Sequence, residues 1–250
     1  MLKLTSLTIL FLASMQLFSQ ELIDIETDRP DQTECSSVIP RKTIQIETGI
    51  VYESDDESVL YFPTSLIRIG AFKKLEVRII AGEYYKSESK TDSLTYKTEG
   101  FSPVSLGVKA YLLKENKFLP QTAFIFHFNR DSRKIYAVAT PFDFRFSMSH
   151  TLSRKIDLGY NLGGEWNEDQ KIFTYIYTLT SAFSIGERFA SYIEIFGDVA
   201  DRSFPHHQFD AGITFLPKIN IQLDCSSGIA LNEYSTHLYL SAGLSWRIPN

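Results

Sequence analysis

The sequence predicts an all-β protein: a closed antiparallel transmembrane β-barrel of about twelve strands, with a short N-terminal segment ahead of it. Three observations predict it. Apolar residues alternate with polar ones at period two along the chain from residue 43 onward. The polar parity carries nearly all the charge and much of the glycine, while the apolar parity is almost free of charge. The connections alternate between long polar loops and tight turns, as outer-membrane barrels alternate extracellular loops with periplasmic turns.

Composition bounds the alternatives. A formal charge of −5 over 250 residues argues against a nucleic-acid-binding surface. Nineteen Phe and 13 Tyr exclude a disordered acidic chain. After the first 20 residues no apolar run approaches the roughly 20 that a membrane helix needs. Two cysteines exclude a disulfide-rich scaffold and a four-cysteine zinc site.

The first element is an address. Lys3 precedes an apolar stretch over 4–18, and Ser14 and then Leu17-Phe18-Ser19 offer small-residue cleavage positions, with the cut expected near Ser19 or Gln20. Residues 1–19 therefore read as a secretory signal peptide. No cysteine marks the cleavage point, which argues against a lipid-anchored lipoprotein. Residues 20–42 are expected as a periplasmic or lumenal segment, and 43–250 as the barrel. Export makes the surroundings oxidising, so Cys35 and Cys225 could pair. Cys225 falls on the outward parity, and the expectation is that they do not.

The strands follow in order. Ile44, Ile46, Ile50 and Tyr52 alternate with Gln45, Glu47, Gly49 and Glu53. Ile67 and Ile69 flank Arg68, and Leu75, Val77 and Ile79 flank Glu76 and Arg78. Val104, Leu106 and Val108 alternate with Ser105, Gly107 and Lys109. Phe124, Phe126 and Phe128 alternate with Ala123, Ile125 and His127. Phe142, Phe144 and Phe146 alternate with Asp143 and Arg145, and Ile156, Leu158 and Tyr160 with Asp157, Gly159 and Asn161. Tyr175, Tyr177, Leu179, Phe183 and Ile185 give an eighth, less cleanly phased strand. Ile193 and Ile195 flank Glu194, and Phe209 and Ala211 flank Asp210. Leu223 and Cys225 flank Asp224, and the last strand runs from Leu238 through Trp246, Arg247 and Ile248. Long connections at 54–58, 86–100, 129–134, 167–171, 198–206 and 232–235 alternate with short ones, which puts both termini on the short-turn side.

The polar parity supplies the candidate lumen residues: Glu47, Arg68, Glu76, Arg78, Lys109, Asp143, Arg145, Asp157, Glu165, Glu194, Asp210, Asp224 and Arg247. Eight acids against five bases give a cross-strand ion-pair lattice, a mildly cation-favouring polar path, or both. A soluble barrel could carry the same charges outside. Gly49, Gly70, Gly107, Gly159, Gly163, Gly212 and Gly243 favour the lumen, where small residues leave room, over a solvated face where they only weaken strands. Tyr52, Trp166, Tyr175, Tyr177 and Trp246 near strand ends fit interfacial girdles as well as ordinary packing. The 86–100 stretch, rich in Lys, Glu, Ser and Thr, reads as a solvated surface loop.

The run Ile25-Glu26-Thr27-Asp28-Arg29-Pro30-Asp31-Gln32-Thr33-Glu34, followed by Val38-Ile39-Pro40 and Gln45-Ile46-Glu47-Thr48-Gly49, is distinctive. It resembles the outer-membrane transporter family named for the MetA pathway of phenol degradation, common in Bacteroidetes-type bacteria. Arg68-Ile69-Gly70, Leu75-Glu76-Val77-Arg78, residues 158–163 and Glu194-Ile195-Phe196-Gly197 extend the resemblance over most of the chain. The resemblance implies a signal peptide, a Thr-Asp-Arg-Pro segment, then an outer-membrane barrel inserted by the barrel-assembly machinery. Cys35 departs from the pattern, as does the non-aromatic end at Asn250, with Trp246 nearby. Phenol is not carried over as a solute.

Asp28, Arg29, Pro30 and Asp31 read either as an inward-folded plug or gate, meeting Arg68, Arg78 or Arg145, or as a capped turn leading into the first strand. Pro30 disfavours helix in this run. The enzyme alternative, a lipid-modifying barrel, would need a serine–histidine site. His127, His150, His206, His207 and His237 lie in no His-x-Ser-Asn-Gly-like cluster, and no Gly-x-Ser-x-Gly elbow occurs. No cofactor or metal site is expected; a His206-His207 pair alone is an incomplete ligand set. The expected role is passive or facilitated passage of an unspecified small solute across the outer membrane of a Gram-negative bacterium. The alternatives are a sealed structural or adhesive barrel, the lipid-modifying enzyme, and a soluble ligand-binding barrel.

Overall fold

The computed structural model describes residues 24–54, 57–91, 94–102, 104–130, 142–167, 171–201, 203–234 and 238–248. The signal-peptide expectation over 1–19, and His237, lie outside the described residues. The strands are β1 (Ile44–Ser54), β2 (Glu57–Phe72), β3 (Leu75–Thr91), β4 (Leu94–Phe101), β5 (Val104–Leu113), β6 (Gln121–Arg130) and β7 (Phe142–Ser153). They continue with β8 (Ile156–Asn167), β9 (Ile172–Ile185), β10 (Phe189–Ala200), β11 (His206–Lys218), β12 (Ile221–Ala230) and β13 (Leu238–Ile248).

All pairings are antiparallel, and the ladder closes because β1 pairs with β13 on one side and β2 on the other, while β2 also pairs with β3. β4 and β5 share one place in the wall. β3 pairs with β5 over its residues 75–80 and with β4 over 83–91. Among the described residues thirteen strands thus fill twelve positions around the barrel. Strands β1 to β3 and β5 to β13 are paired on both sides, which is the condition for a sheet to sit in hydrocarbon, where an unpaired N–H or C=O finds no water, while β4 pairs with β3 alone, toward the long-loop end.

Two sequence expectations are refined. The 86–100 stretch is no surface loop: β3 runs on to Thr91 and returns as β4. Its alternation is hidden because both parities are polar there. Strands β2 and β3 have 16 and 17 residues. A tilted strand crosses the bilayer in roughly 9–11, so their outer ends stand clear of lipid and need no apolar face. The eighth predicted strand, now β9, keeps unbroken register with both neighbours, its Leu179 outward and its Thr178 and Thr180 inward.

The distribution of polarity is inverted relative to a water-soluble barrel. Leu106, Leu162 and Ile213 are more than half exposed on the outer face, while Gln45, Arg68, Glu76, Lys109 and Asp210 are fully buried. Ile125 and Ala123 are buried apolar exceptions among the inward residues. Tyr52, Trp166 and Tyr175 stand at the long-loop end of their strands, and Trp246 at the short-turn end. Tyr175 and Trp246 are exposed on the outer wall, as amphipathic rings at two interfaces would be. Cys225 also faces outward and Cys35 lies inside, so the wall separates them and both thiols are free.

A charge placed on the outer wall pays the lipid-transfer penalty directly. Ile213→Lys in β11 is expected to lower barrel stability by about 2–4 kcal/mol, read by denaturant unfolding of the protein refolded into lipid vesicles.

Candidate functional site

Residues 24–43 lie inside this wall and hydrogen-bond to almost every strand around it. The segment enters beside the β11–β12 turn, where the Ile25 amide donates to the Ile219 carbonyl at 2.8 Å. It then rises along β12 and β13. The Arg29 guanidinium reaches Asp224 at 3.1 Å and Ser241 at 2.9 Å. The Arg29–Pro30 peptide is cis, and the Pro30 carbonyl accepts from the Tyr239 hydroxyl at 3.2 Å. At the top of its course the Gln32 amide donates to Glu194 at 2.7 Å, and the Thr33 hydroxyl bonds Glu194 and Thr178. The segment then descends along the opposite wall. The Glu34 amide donates to Asn161 at 2.7 Å, Ser36 meets Ser149 and Gln121, and the Ile39 amide donates to Glu76 at 2.8 Å. It leaves the lumen at Lys42, with φ of 66°, and enters β1.

Two paired glycines make this course possible. Gly49 of β1 and Gly243 of β13 are register partners. A Cβ on Gly49 would come within 2.6 Å of the Arg29 guanidinium, and one on Gly243 would overlap it outright. The wall is therefore notched where Arg29 crosses it. Gly70 plays the same part at the exit, against the Pro40 carbonyl.

The charges gather into one network on the β1–β3–β5 side. Asp28 Oδ2 takes Arg78 at 2.6 Å and Arg68 at 3.4 Å, and Oδ1 takes Lys109 at 3.0 Å and the Cys35 amide at 2.9 Å. Around them, Glu47 pairs with Arg68 at 3.0 Å, Glu76 with Arg68 at 2.8 Å, and Glu34 with Arg78 at 2.7 Å. Burial by itself would raise the Asp28 carboxyl, but Arg68, Lys109 and Arg78 outweigh it and hold it well below the ordinary carboxylate range. Buried charges survive only with partners of this kind. The Cys35 thiol sits at the rim of the network, 3.2 Å from Lys109, and burial with Asp28 nearby pushes it up to about 11.

Asp31 has the opposite surroundings. Burial, then Glu194 and Asp210, push its carboxyl well above the ordinary range. Among the described residues no Lys or Arg is ion-paired to Asp31, Glu194 or Asp210. The Tyr192 hydroxyl donates to Asp210 Oδ2 at 2.9 Å.

The remaining sequence candidates separate by height in the barrel. Asp143 binds His127 at 2.9 Å and Asn129 at 3.0 Å. Arg78 Nε donates to His127 Nε2 at 3.1 Å, so the ring proton sits on Nδ1 and points at Asp143. Both ring nitrogens are then occupied, and His127 has none left to activate a nucleophile. His150 pairs with Tyr160, His206 with Asp198, and His207 with Tyr177. Arg145 reaches the Gln32 carbonyl at 3.5 Å, near the long-loop end. Asp157 and Arg247 lie at the short-turn end. Asp157 is exposed there, and Arg247 reaches the Asp24 carbonyl at 3.4 Å. Thr33, Glu34, Ser36, Tyr192 and Tyr239 were not singled out by the sequence. Parity places both tyrosines inward, and the segment's own polar run was the signal for the rest.

A closed wall with an apolar outer face and a polar, charged interior defines an outer-membrane β-barrel protein. Residues 27–248 match the family described as "Putative MetA-pathway of phenol degradation", and the chain belongs to that family. Three solved structures share the fold. An outer-membrane channel from Pseudomonas putida F1 superposes with a TM-score of 0.62 at 11% identity, over 89% of this chain and 100% of that one. The NanC porin gives 0.56 at 7% identity, over 82% and 100%. The KdgM porin, solved with disordered oligogalacturonate, gives 0.52 at 8% identity, over 80% and 98%. Among curated proteins none matches this chain.

The notch gives a direct check on the docked segment. In a Cys225→Ser background, Cys35 is expected to react slowly with a water-soluble thiol reagent. Filling the notch with Gly243→Val should expel Arg29 and speed that reaction at least about tenfold, since a thiol reacts as its exposed thiolate.

Proposed function

We propose that this protein is an outer-membrane channel for passive or facilitated passage of a small solute, with residues 24–43 acting as its plug. The observation that carries this reading is the interior. A barrel that served only as an anchor could fill its lumen with apolar side chains, as small barrels do. This one instead surrounds a separate, largely polar segment with buried charges, and hydrogen bonds and ion pairs dominate the contact, with Ile25 and Ile39 as buried apolar side chains of the segment. Such contacts can be exchanged for water when the segment moves. The channel and porin names of the structural neighbours agree with the proposal. They do not pass a solute on to this chain.

Asp28 is the fastening in this account. It accepts from Arg68, Arg78 and Lys109 together. An asparagine has one acceptor oxygen and turns an NH₂ toward the other cations. The same filled lumen is what favours the sealed-barrel alternative, so one experiment addresses both. In planar bilayers the mature protein should give discrete conductance steps, and Asp28→Asn should increase open time several-fold. Silence from both proteins, with insertion verified, would favour the sealed barrel.

A further inference from the structure

Two cavities remain beside the segment, one toward each end of the barrel, and both abut the same two strands. The cavity toward the long loops, about 420 Å³, is lined by Gln32, Arg145, Glu165, Thr178, Phe196 and Gln208 among others. The cavity toward the short turns, about 650 Å³, is lined by Asp24, Arg188, Ala190, Thr214 and Lys218 among others. On β10 the upper cavity ends at Phe196 and the lower begins at Ala190; on β11 they end at Gln208 and begin at Thr214.

Only two rungs of inward side chains separate them on these strands. The register pairs Glu194 with Asp210 and Tyr192 with Gly212. The Tyr192 ring occupies the space that a side chain at 212 would take, and its hydroxyl is spent on Asp210. Asp210 is fully buried, and its Oδ1 has no hydrogen-bond partner. Asp31 adds a third carboxyl group from the segment. The segment closes the gap through two residues: the Gln32 amide and the Thr33 hydroxyl, both on Glu194. On the opposite wall Asp28 is clamped by three cations.

Resting on the channel reading, we propose that the solute path runs along the β9–β11 wall between these two cavities. Its constriction is the Glu194–Asp210 rung, backed by Asp31, and its charge filter favours small cationic or neutral polar solutes over anions. Asp31, whose carboxyl is held protonated there, adds no charge; the Glu194–Asp210 pair, with no Lys or Arg ion-paired to it among the described residues, keeps a net negative charge, repels an anion and offers the unsatisfied Asp210 oxygen to a passing cation. The gate is the Gln32–Thr33 bend, and the Asp28 clamp is the fixed end about which it moves. The path opens by exchanging the hydrogen bonds of Gln32 and Thr33 to Glu194, Thr178 and Arg145 for water, with the ion-pair network left whole.

The test is the reversal potential in a potassium chloride gradient across a planar bilayer. The unmodified protein should prefer potassium over chloride. Glu194→Gln combined with Asp210→Asn keeps the acceptor oxygens and should bring the permeability ratio close to one. Asp143→Asn, a carboxylate on the other wall, should leave the preference intact. Should the double variant misfold, a second arm serves. In a Cys35→Ser, Cys225→Ser background, Gln208→Cys and Thr214→Cys should each lose conductance on reaction with a cationic methanethiosulfonate, and Ser105→Cys should not. An anion-preferring protein, an unchanged preference in the double variant, or a block at Ser105→Cys alone would overturn the path. Silence in every protein would instead remove the channel reading beneath it.

Discussion

Three strands of the wall converge on one carboxylate, that of Asp28. Arg68 on β2, Arg78 on β3 and Lys109 on β5 all turn inward at similar height and face it from the wall, while Glu47 of β1 accepts its amide. Each cation also has an acid or a sulfur beside it, so the wall charges are arranged around a centre that the wall itself lacks. Without the segment, three buried cations would stand side by side on neighbouring strands with only Glu47 and Glu76 of the wall to offset them. The barrel and its N-terminal segment are thus one electrostatic unit, and the removal of either partner of such a buried set costs far more than the set contributes to stability.

That dependence explains the small residues of the inner wall. Twelve strand positions enclose limited space, and the segment takes much of it. Gly49, Gly70 and Gly243 yield their side-chain volume to Arg29 and Pro40, and Gly159 lies against the Thr33 methyl. Other inward glycines make room for large neighbours on the wall: Gly107 for His127, Gly163 for Arg145, Gly212 for Tyr192. Glycine weakens a strand. Here that weakness is offset by contacts that only an absent Cβ permits.

Much of the architecture was legible because period two is a one-bit signal, and it is repeated over every strand. The alternation of Gln45 and Glu47 with Ile44 and Ile46, or of Glu76 and Arg78 with Leu75 and Val77, fixes which face is wet. The alternation also gave β9 despite its aromatic crowding. It failed over 86–100, where both faces are polar and the β3–β4 pairing leaves no mark. Parity likewise gives the face of a residue and not its height or its partner. Asp157 and Arg78 share an inward parity, yet one is exposed at the short-turn end and the other is in the Asp28 network. The contact of Asp28 with Arg78 was among those anticipated, but Lys109 and Cys35 were not, because parity gives neither the height at which β5 stands beside β3 nor the point where the segment crosses them. The polar residues 32–36 carry no periodicity at all, and their partners became visible only when the segment was seen inside the wall.

The central claim is that residues 24–43 occupy the lumen of the folded barrel, and disulfide trapping tests it most directly. Thr33 and Thr178 place their hydroxyl oxygens 2.6 Å apart across the segment–β9 contact. In a Cys35→Ser, Cys225→Ser background, Thr33→Cys with Thr178→Cys should cross-link under mild oxidation of the protein folded in lipid vesicles. The product should show as an altered gel mobility that reductant reverses. A barrel that is folded by heat modifiability yet gives no cross-link would contradict a segment seated against β9, and with it the account of the interior.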